Sequence, residues 1–178
     1  LDEIIRAEET FNSNTCDPII EKQIALQYAS LYTRLGDKSL ADSIVRQAIS
    51  NYDPLWPDQV TLVKLYLQLG LTTNNLSVIP DLDSALRITV KYGLKPLEQK
   101  LLISAGALYA MNDSMDVAKV YMMRARDVAR KREAYSDLGM IYNNLAGLSS
   151  DLELMSSYVD SALYYAQLAK NINEIQMY

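Results

Sequence analysis

The sequence predicts an all-α fold, a solenoid of stacked antiparallel helix pairs. Three observations predict it. Tyr32, Tyr66, Tyr109 and Tyr142 follow one another at steps of 34, 43 and 33 residues, and a return near 34 with its neighbours in place marks a helix-pair array. Apolar residues recur at steps of three and four, as one buried face of a helix requires. No convincing strand alternation appears; Val60 to Leu65 holds β-branched residues, but at helical spacing. In such an array function lies in a surface, not in a catalytic cluster.

The elements follow in order along a single array, residues 1–178. Residues 1–17 are expected to form a lead-in, with an amphipathic helix over Leu1 to Asn12. Four repeats are placed at about 22–55, 56–94, 95–132 and 133–171, and the start of a further or capping helix at 172–178. The first helix of unit one carries Ile24, Tyr28, Leu31, Tyr32 and Leu35 on one face. Leu35-Gly36-Asp37 ends it, with Gly in the left-handed cap position. Asn51 to Trp56 is a connector, and Pro57 suits a first helical position. Leu62, Leu65, Tyr66 and Leu69 repeat the apolar face, and Leu69-Gly70 is read as a helix end. The second helix of unit two should begin near Pro80. Tyr92-Gly93 and Lys95-Pro96 separate units two and three. Leu101, Leu102, Ala105, Leu108 and Tyr109 form the next face, and Asn112-Asp113-Ser114 turns the chain as Gly would. Leu138, Ile141, Tyr142 and Leu145 form the fourth. Ala169-Lys170-Asn171 matches Ala129-Arg130-Lys131, so a new helix is expected from Asn171.

Composition narrows the function. The 178 residues suffice for one buried domain or for four to five repeat units. Lys and Arg number 17 against 22 Asp and Glu, a net charge of −5, which argues against nucleic acid and against anionic lipid as partners. Histidine is absent, and with it the commonest general base and metal ligand. The single cysteine, Cys16, cannot close an internal disulfide or a zinc cage. It precedes Asp17-Pro18, a helix start where a thiol is somewhat acidic, but it reads as a stray surface cysteine. No apolar run is long enough to span a membrane, so no direct insertion is expected from these residues. The chain opens at Leu1 without a signal peptide, which is expected of a processed or cut piece of a longer protein.

No catalytic constellation is present: no Ser-His-Asp or Cys-His set, no GxGxxG, no P-loop. The carboxylate pairs Glu8–Glu9 and Asp81–Asp83 fall on polar faces or in first helical turns, where acids suit the helix dipole. The expectation is a protein without catalytic residues, metal or cofactor. Arg124, Arg126, Arg130, Lys131 and Arg132 form the one basic cluster. It reads as a solvated face with weak ion pairs, with an acidic-partner docking patch as the alternative. Met111, Met115, Met122, Met123 and Met140 cluster in units three and four, as core filler or as an adaptable groove. Tyrosine is over-used, 13 against one Phe and one Trp. It suits helix surfaces that are part core and part groove.

At Tyr135, Leu138, Gly139 and Tyr142 the chain resembles the tetratricopeptide repeat family, whose first helix reads bulky-x-x-Leu-Gly-x-x-Tyr. Leu102, Ala105, Gly106 and Tyr109 are a close variant, Ala25, Tyr28, Ala29 and Tyr32 another. Gln59, Leu62, Val63 and Tyr66 are the poorest copy, since Val63 stands at the tiny position. The second-helix pattern, small-x-x-x-bulky-x-x-Ala, is met by Ala41, Val45, Ala48 and by Ala118, Met122, Ala125. In units two and four it is placed on Val78, Leu82, Ala85 and on Met155, Val159, Ala162, with three or four extra residues in the turn. The resemblance implies a right-handed superhelix. Small residues would sit where axes cross at roughly 8–10 Å.

The resemblance also implies a site. The family's concave groove is lined by first helices, which here would offer Leu26, Ser30, Thr33 and Arg34; Val60, Lys64, Leu67 and Gln68; Ile103, Ala107, Ala110 and Met111; and Ser136, Met140, Asn143 and Asn144. This mix of apolar and amide groups suits a protein or peptide partner, in a scaffold that is the sensor or interaction region of a larger protein. An exported or membrane-anchored parent is expected by the same resemblance, a cytoplasmic one being the alternative. A terminal half-unit would allow end-to-end homodimers. The competing reading is a small-molecule or glycan binder using tyrosines bare in one concave pocket.

Overall fold

The protein, seen in a computed structural model, is described over residues 17–51 and 58–176. The expected lead-in helix, Cys16 and the connector with Pro57 lie outside these residues. Eight α-helices are described: α1 (Pro18–Leu35), α2 (Lys38–Ser50), α3 (Gln59–Thr72), α4 (Ile79–Tyr92), α5 (Lys95–Met111), α6 (Met115–Lys131), α7 (Tyr135–Gly147) and α8 (Leu152–Gln176). There is no strand among the described residues. Consecutive helices pack as hairpins, and α1 also packs on α3 and α3 on α5. The architecture is a TPR-like, right-handed α-solenoid of four stacked helix pairs.

Two devices start the helices. Aspartates cap α1, α2 and α3, Asp17 accepting from Ile19 N, Asp37 from Leu40 N and Asp58 from Thr61 N at 2.9, 3.1 and 3.0 Å. Each satisfies an amide with no partner in the first turn. Helices α5, α6 and α7 lack such a side-chain cap. They begin from a turn that also ends the preceding helix. Gly93, Asp113 and Glu133 take positive φ at 67°, 59° and 54°. The next amide in each case reaches back to a helical carbonyl: Leu94 N to Thr89 O at 2.8 Å, Ser114 N to Tyr109 O at 2.9 Å, and Ala134 N to Ala129 O at 3.0 Å. This is the Schellman closure. Gly36, at φ 88°, ends α1 as its residue type requires.

The core is one continuous cluster running the length of the stack. It includes Ala29, Val45, Leu65, Leu82, Leu101, Met122, Ile141 and Leu145. The small residues of the repeat signature are buried where helices cross. A Cβ on Gly106 would meet Met122 Cε at 3.1 Å and Ala118 O at 3.3 Å; one on Gly139 would meet Ala162 O at 3.3 Å and Ala166 N at 3.4 Å. Tyr142 stacks on Tyr165 with ring centroids 5.5 Å apart, and Tyr109 on Tyr121 at 5.3 Å. In units three and four the signature tyrosine thus seals the hairpin against its own second helix.

Three expectations are corrected. Gly70 does not end α3, which runs on to Thr72; Gly70 is instead a close-crossing residue, where a Cβ would lie 2.7 Å from Ser104 Oγ of α5. In unit four the residue facing Gly139 is Ala162, not Met155, and Val159 is exposed rather than packed at the crossing. The reason is helix length: α7 continues five residues past Tyr142, whereas α5 continues two past Tyr109. An antiparallel partner must then travel further back before it meets the same glycine, so the extra residues lengthen helices rather than only the turn. Finally, no new helix starts at Asn171. Helix α8 continues through it, and Gln167 Nε2 donates to Asn171 Oδ1 at 2.7 Å, a bond between residues one helical turn apart. No Gly or left-handed residue interrupts the segment as Glu133 does after α6.

Candidate functional site

The first helices bring together part of the expected groove. A cleft of about 400 Å³ runs between α3 and α5 and reaches α7. Leu67, Ile103, Ala107, Met111 and Met140 line it, as the sequence placed them on one face. Leu71, Met111 and Met140 leave 51%, 58% and 48% of their surface exposed, an unusual concentration of large apolar groups in water. Among the described residues Lys38 and Lys100 are the charged groups on its lining, and no carboxylate lines it. Neither lysine has an ion pair among the described residues.

The cleft has a direction. Thr72 Oγ1 approaches Asp42 Oδ1 at 3.5 Å, which sets the start of α2 beside the end of α3. Asn112 Nδ2 donates to Asn74 O at 2.9 Å, which ties the end of α5 to the same corner. Lys38 therefore stands at the Met111 end. Lys100 lies eleven residues nearer the start of α5, roughly 16 Å away at 1.5 Å per residue.

Ser136, Met140 and Asn143 fall in a second cleft of about 730 Å³, between α7 and α8. Its other wall is Val159, Leu163, Ala166 and Lys170 of α8, residues the sequence reading missed. The exposed apolar pair Val159 and Leu163, one turn apart, was the available signal. Met140 belongs to both clefts and joins them.

The remaining candidates stand elsewhere. Gln68 is buried: its Nε2 donates to Thr33 Oγ1 at 2.8 Å and to Ala29 O at 3.4 Å, so Gln68 and Thr33 fasten α3 to α1. Leu26 packs partly buried against the core. Ser30 and Asn144 are half-buried, while Arg34, Val60 and Lys64 are exposed, and none of these lines either cleft. Ser104, on the cleft floor, was also missed. It is 7% exposed, and its Oγ has no hydrogen-bond partner.

The basic cluster is mostly spent on packing. Arg126 pairs with Asp127 at 2.8 Å. Arg130 donates to Tyr142 OH at 3.1 Å, which raises the guanidinium pKa further. Arg132 Nη1 donates to buried Gln99 Oε1 at 2.6 Å. Burial pushes the Tyr66 and Tyr121 hydroxyls up and the Lys22 ammonium down, with Asp81 adding to the first and Asp83 to the second. Among the described residues no group of three potential ligands could hold a metal ion, and no helix is long and apolar enough to cross a membrane.

No protein-family profile matches the sequence, and no curated protein sequence matches it. One solved structure that does match is that of aspartyl phosphate phosphatase F from Bacillus subtilis, at a TM-score of 0.79 and 15% identity. The likeness covers 89% of this chain but 43% of that one, so the chain spans less than half of its neighbour's length. At this identity the likeness is one of fold, a helical-repeat array.

Proposed function

We propose that this chain is a non-catalytic scaffold that binds a protein or peptide on the face built by its first helices, as a region of a larger protein. One observation carries the reading. Leu71, Met111 and Met140, from three successive units, stand bare around one cleft whose lining charges, among the described residues, are two lysines without an ion pair. Methionine side chains adapt to varied apolar surfaces, and a rigid stack presents them without paying ordering costs on binding. The phosphatase activity in the neighbour's name stays with that protein.

The described tyrosines favour this reading over a glycan site. Most of them pack against the core, and the exposed Tyr92 and Tyr164 line neither cleft. The groups whose ionisation is displaced, Lys22, Tyr66, Tyr121 and Arg130, belong to packing contacts rather than to paired carboxylates in a cleft.

A displayed peptide library panned on the protein tests the proposal. Selected peptides should lose about tenfold or more in affinity with Met111→Glu plus Met140→Glu, because a carboxylate would then face each apolar contact. They should be unaffected by Val120→Glu, at an exposed site that lines neither cleft. Equal binding by both variants, with helix content unchanged, would reject this face.

A further inference from the structure

A second groove lies between the second helices of units two and three, apart from the clefts above. It has a volume of about 420 Å³ and is lined by Asp83, Leu86, Arg87, Val90 and Lys91 of α4 and by Arg124 of α6. Three cations converge there in a chain whose net charge is −5.

Their local chemistry leaves the three cations without an ion pair, against the single carboxylate of Asp83 on the described lining. Asp83 and Arg87 are four residues apart, the spacing at which opposite charges pair on a helix. They do not pair. Asp83 turns to Tyr121 OH at 3.5 Å, and Arg87 donates to Ser84 Oγ at 2.8 Å. Arg87 and Lys91 are also four apart, and like charges at that spacing are destabilising. Lys91 Nζ sits over the Tyr92 ring at 5.1 Å and Arg124 over Tyr121 at 5.3 Å, contacts that orient the cations without neutralising them. None of the three has a salt bridge among the described residues. Among them stands Val90, with 62% of its surface exposed.

The basic run in α6 is therefore not the patch itself. Arg126, Arg130 and Arg132 are held by Asp127, Tyr142 and Gln99, while Arg124 joins two cations from the preceding unit. We propose that this groove is a separate docking site for a carboxylate-rich, extended segment of a protein partner, its acids meeting Arg87, Lys91 and Arg124 and an apolar side chain resting on Val90. Guanidinium and ammonium groups match carboxylates in charge and donor geometry, and the exposed valine selects acidic-apolar sequence over a plain polyanion.

The test is fluorescence anisotropy with a labelled hexapeptide of alternating glutamate and leucine, beside its glutamine counterpart. Affinity for the glutamate peptide should fall about tenfold or more with Arg87→Glu plus Lys91→Glu, and several-fold with Arg124→Gln. Raising the salt to about 0.5 M should weaken it comparably. Lys38→Glu plus Lys100→Glu, on the lining of the methionine cleft, should leave it unchanged. All five sites are exposed, so circular dichroism should report an intact fold. The inference is overturned if the α4 double variant binds as the parent does, if the glutamine peptide binds equally well, if the Lys38 and Lys100 variant abolishes binding instead, or if millimolar inorganic phosphate displaces the peptide completely. Loss of binding in the Lys38 and Lys100 variant would place the peptide in the methionine cleft instead; the other outcomes do not bear on that cleft, which is tested separately.

Discussion

In unit three, Gly106 meets its second helix at Ala118 and Met122, twelve and sixteen residues further along the chain. In unit four, Gly139 meets its second helix at Ala162 and Ala166, 23 and 27 residues further along. Both glycines precede a signature tyrosine by three, and both sit at a hairpin crossing. The contacts differ in kind. Two of the three nearest atoms to a Cβ on Gly106 belong to the Met122 side chain and the third is Ala118 O, whereas all three nearest atoms around Gly139 belong to the backbone of α8. The same signature thus fixes where a first helix is thin. It leaves helix length to decide which residue of the second helix arrives there, and whether the contact can yield.

The largest expected effect follows from that contrast. Gly139→Leu should cost about 2–3 kcal/mol, because α8 as a whole must move away. Gly106→Leu should cost less, since Met122 can change rotamer, and Met122→Ala should recover part of the loss. Denaturant midpoints of the three variants measure this, and equal losses at the two glycines would erase the distinction.

A crossing between units extends the comparison. At Gly70 the nearest obstacle is the hydroxyl of Ser104, 2.7 Å from the added Cβ and without a hydrogen-bond partner, with a Leu82 methyl next at 3.2 Å. Gly70→Ala should cost on the order of 1–2 kcal/mol, and Ser104→Gly in the same chain should restore much of it. A double-mutant cycle with no coupling would show that the α3–α5 contact is not set by this pair. Ser104→Ala alone should be neutral or stabilising by up to about 1 kcal/mol, since it removes an unsatisfied buried group.

The smallest effect is read in pH. Burial, with Asp83 and Tyr109 helping and Arg124 opposing, lifts the Tyr121 hydroxyl above its ordinary value of 10.0. The folded chain therefore holds this proton when the unfolded chain has released it. The associated stability is present below pH 10 and is lost as pH rises through the folded value. Tyr121→Phe should flatten the decline of stability above pH 10; an unchanged slope would remove Tyr121 from the account.

Much of the fold was legible because repeats print their geometry at regular intervals. Gly36, Gly93 and Asp113 announced left-handed turns, and Gly106, Gly139 and Ala118 announced close crossings. Glu133 carried no such signal, because its residue type does not ask for a positive φ and only the Schellman bonds require it. Gly70 misled because a helix end and a close crossing both favour glycine, and the chain alone does not separate them. The site was half legible. Met111 and Met140 were placed on one groove by the resemblance to the repeat family. The cleft's lysines came from Lys38, the first residue of a second helix, and from Lys100, and no first-helix pattern points to the former. Gln68 was misplaced because the resemblance gives a face but not depth, and a glutamine can be spent bridging two helices. Arg87 and Lys91 meet Arg124 only after folding, across some 33 residues of chain, so the linear run around Arg124 concealed its actual companions.

The three Schellman turns at Gly93, Asp113 and Glu133 fall twenty residues apart, and α5 and α6 between them are each 17 residues long. The stretch from Leu94 to Glu133 is therefore a cassette with matching ends, entered and left through the same backbone geometry. Duplicating it would lengthen the stack by one step while leaving the flanking joints as they are. Its entry and exit turns share one backbone form, so the joint on either side of a copy would be of a kind the chain already makes.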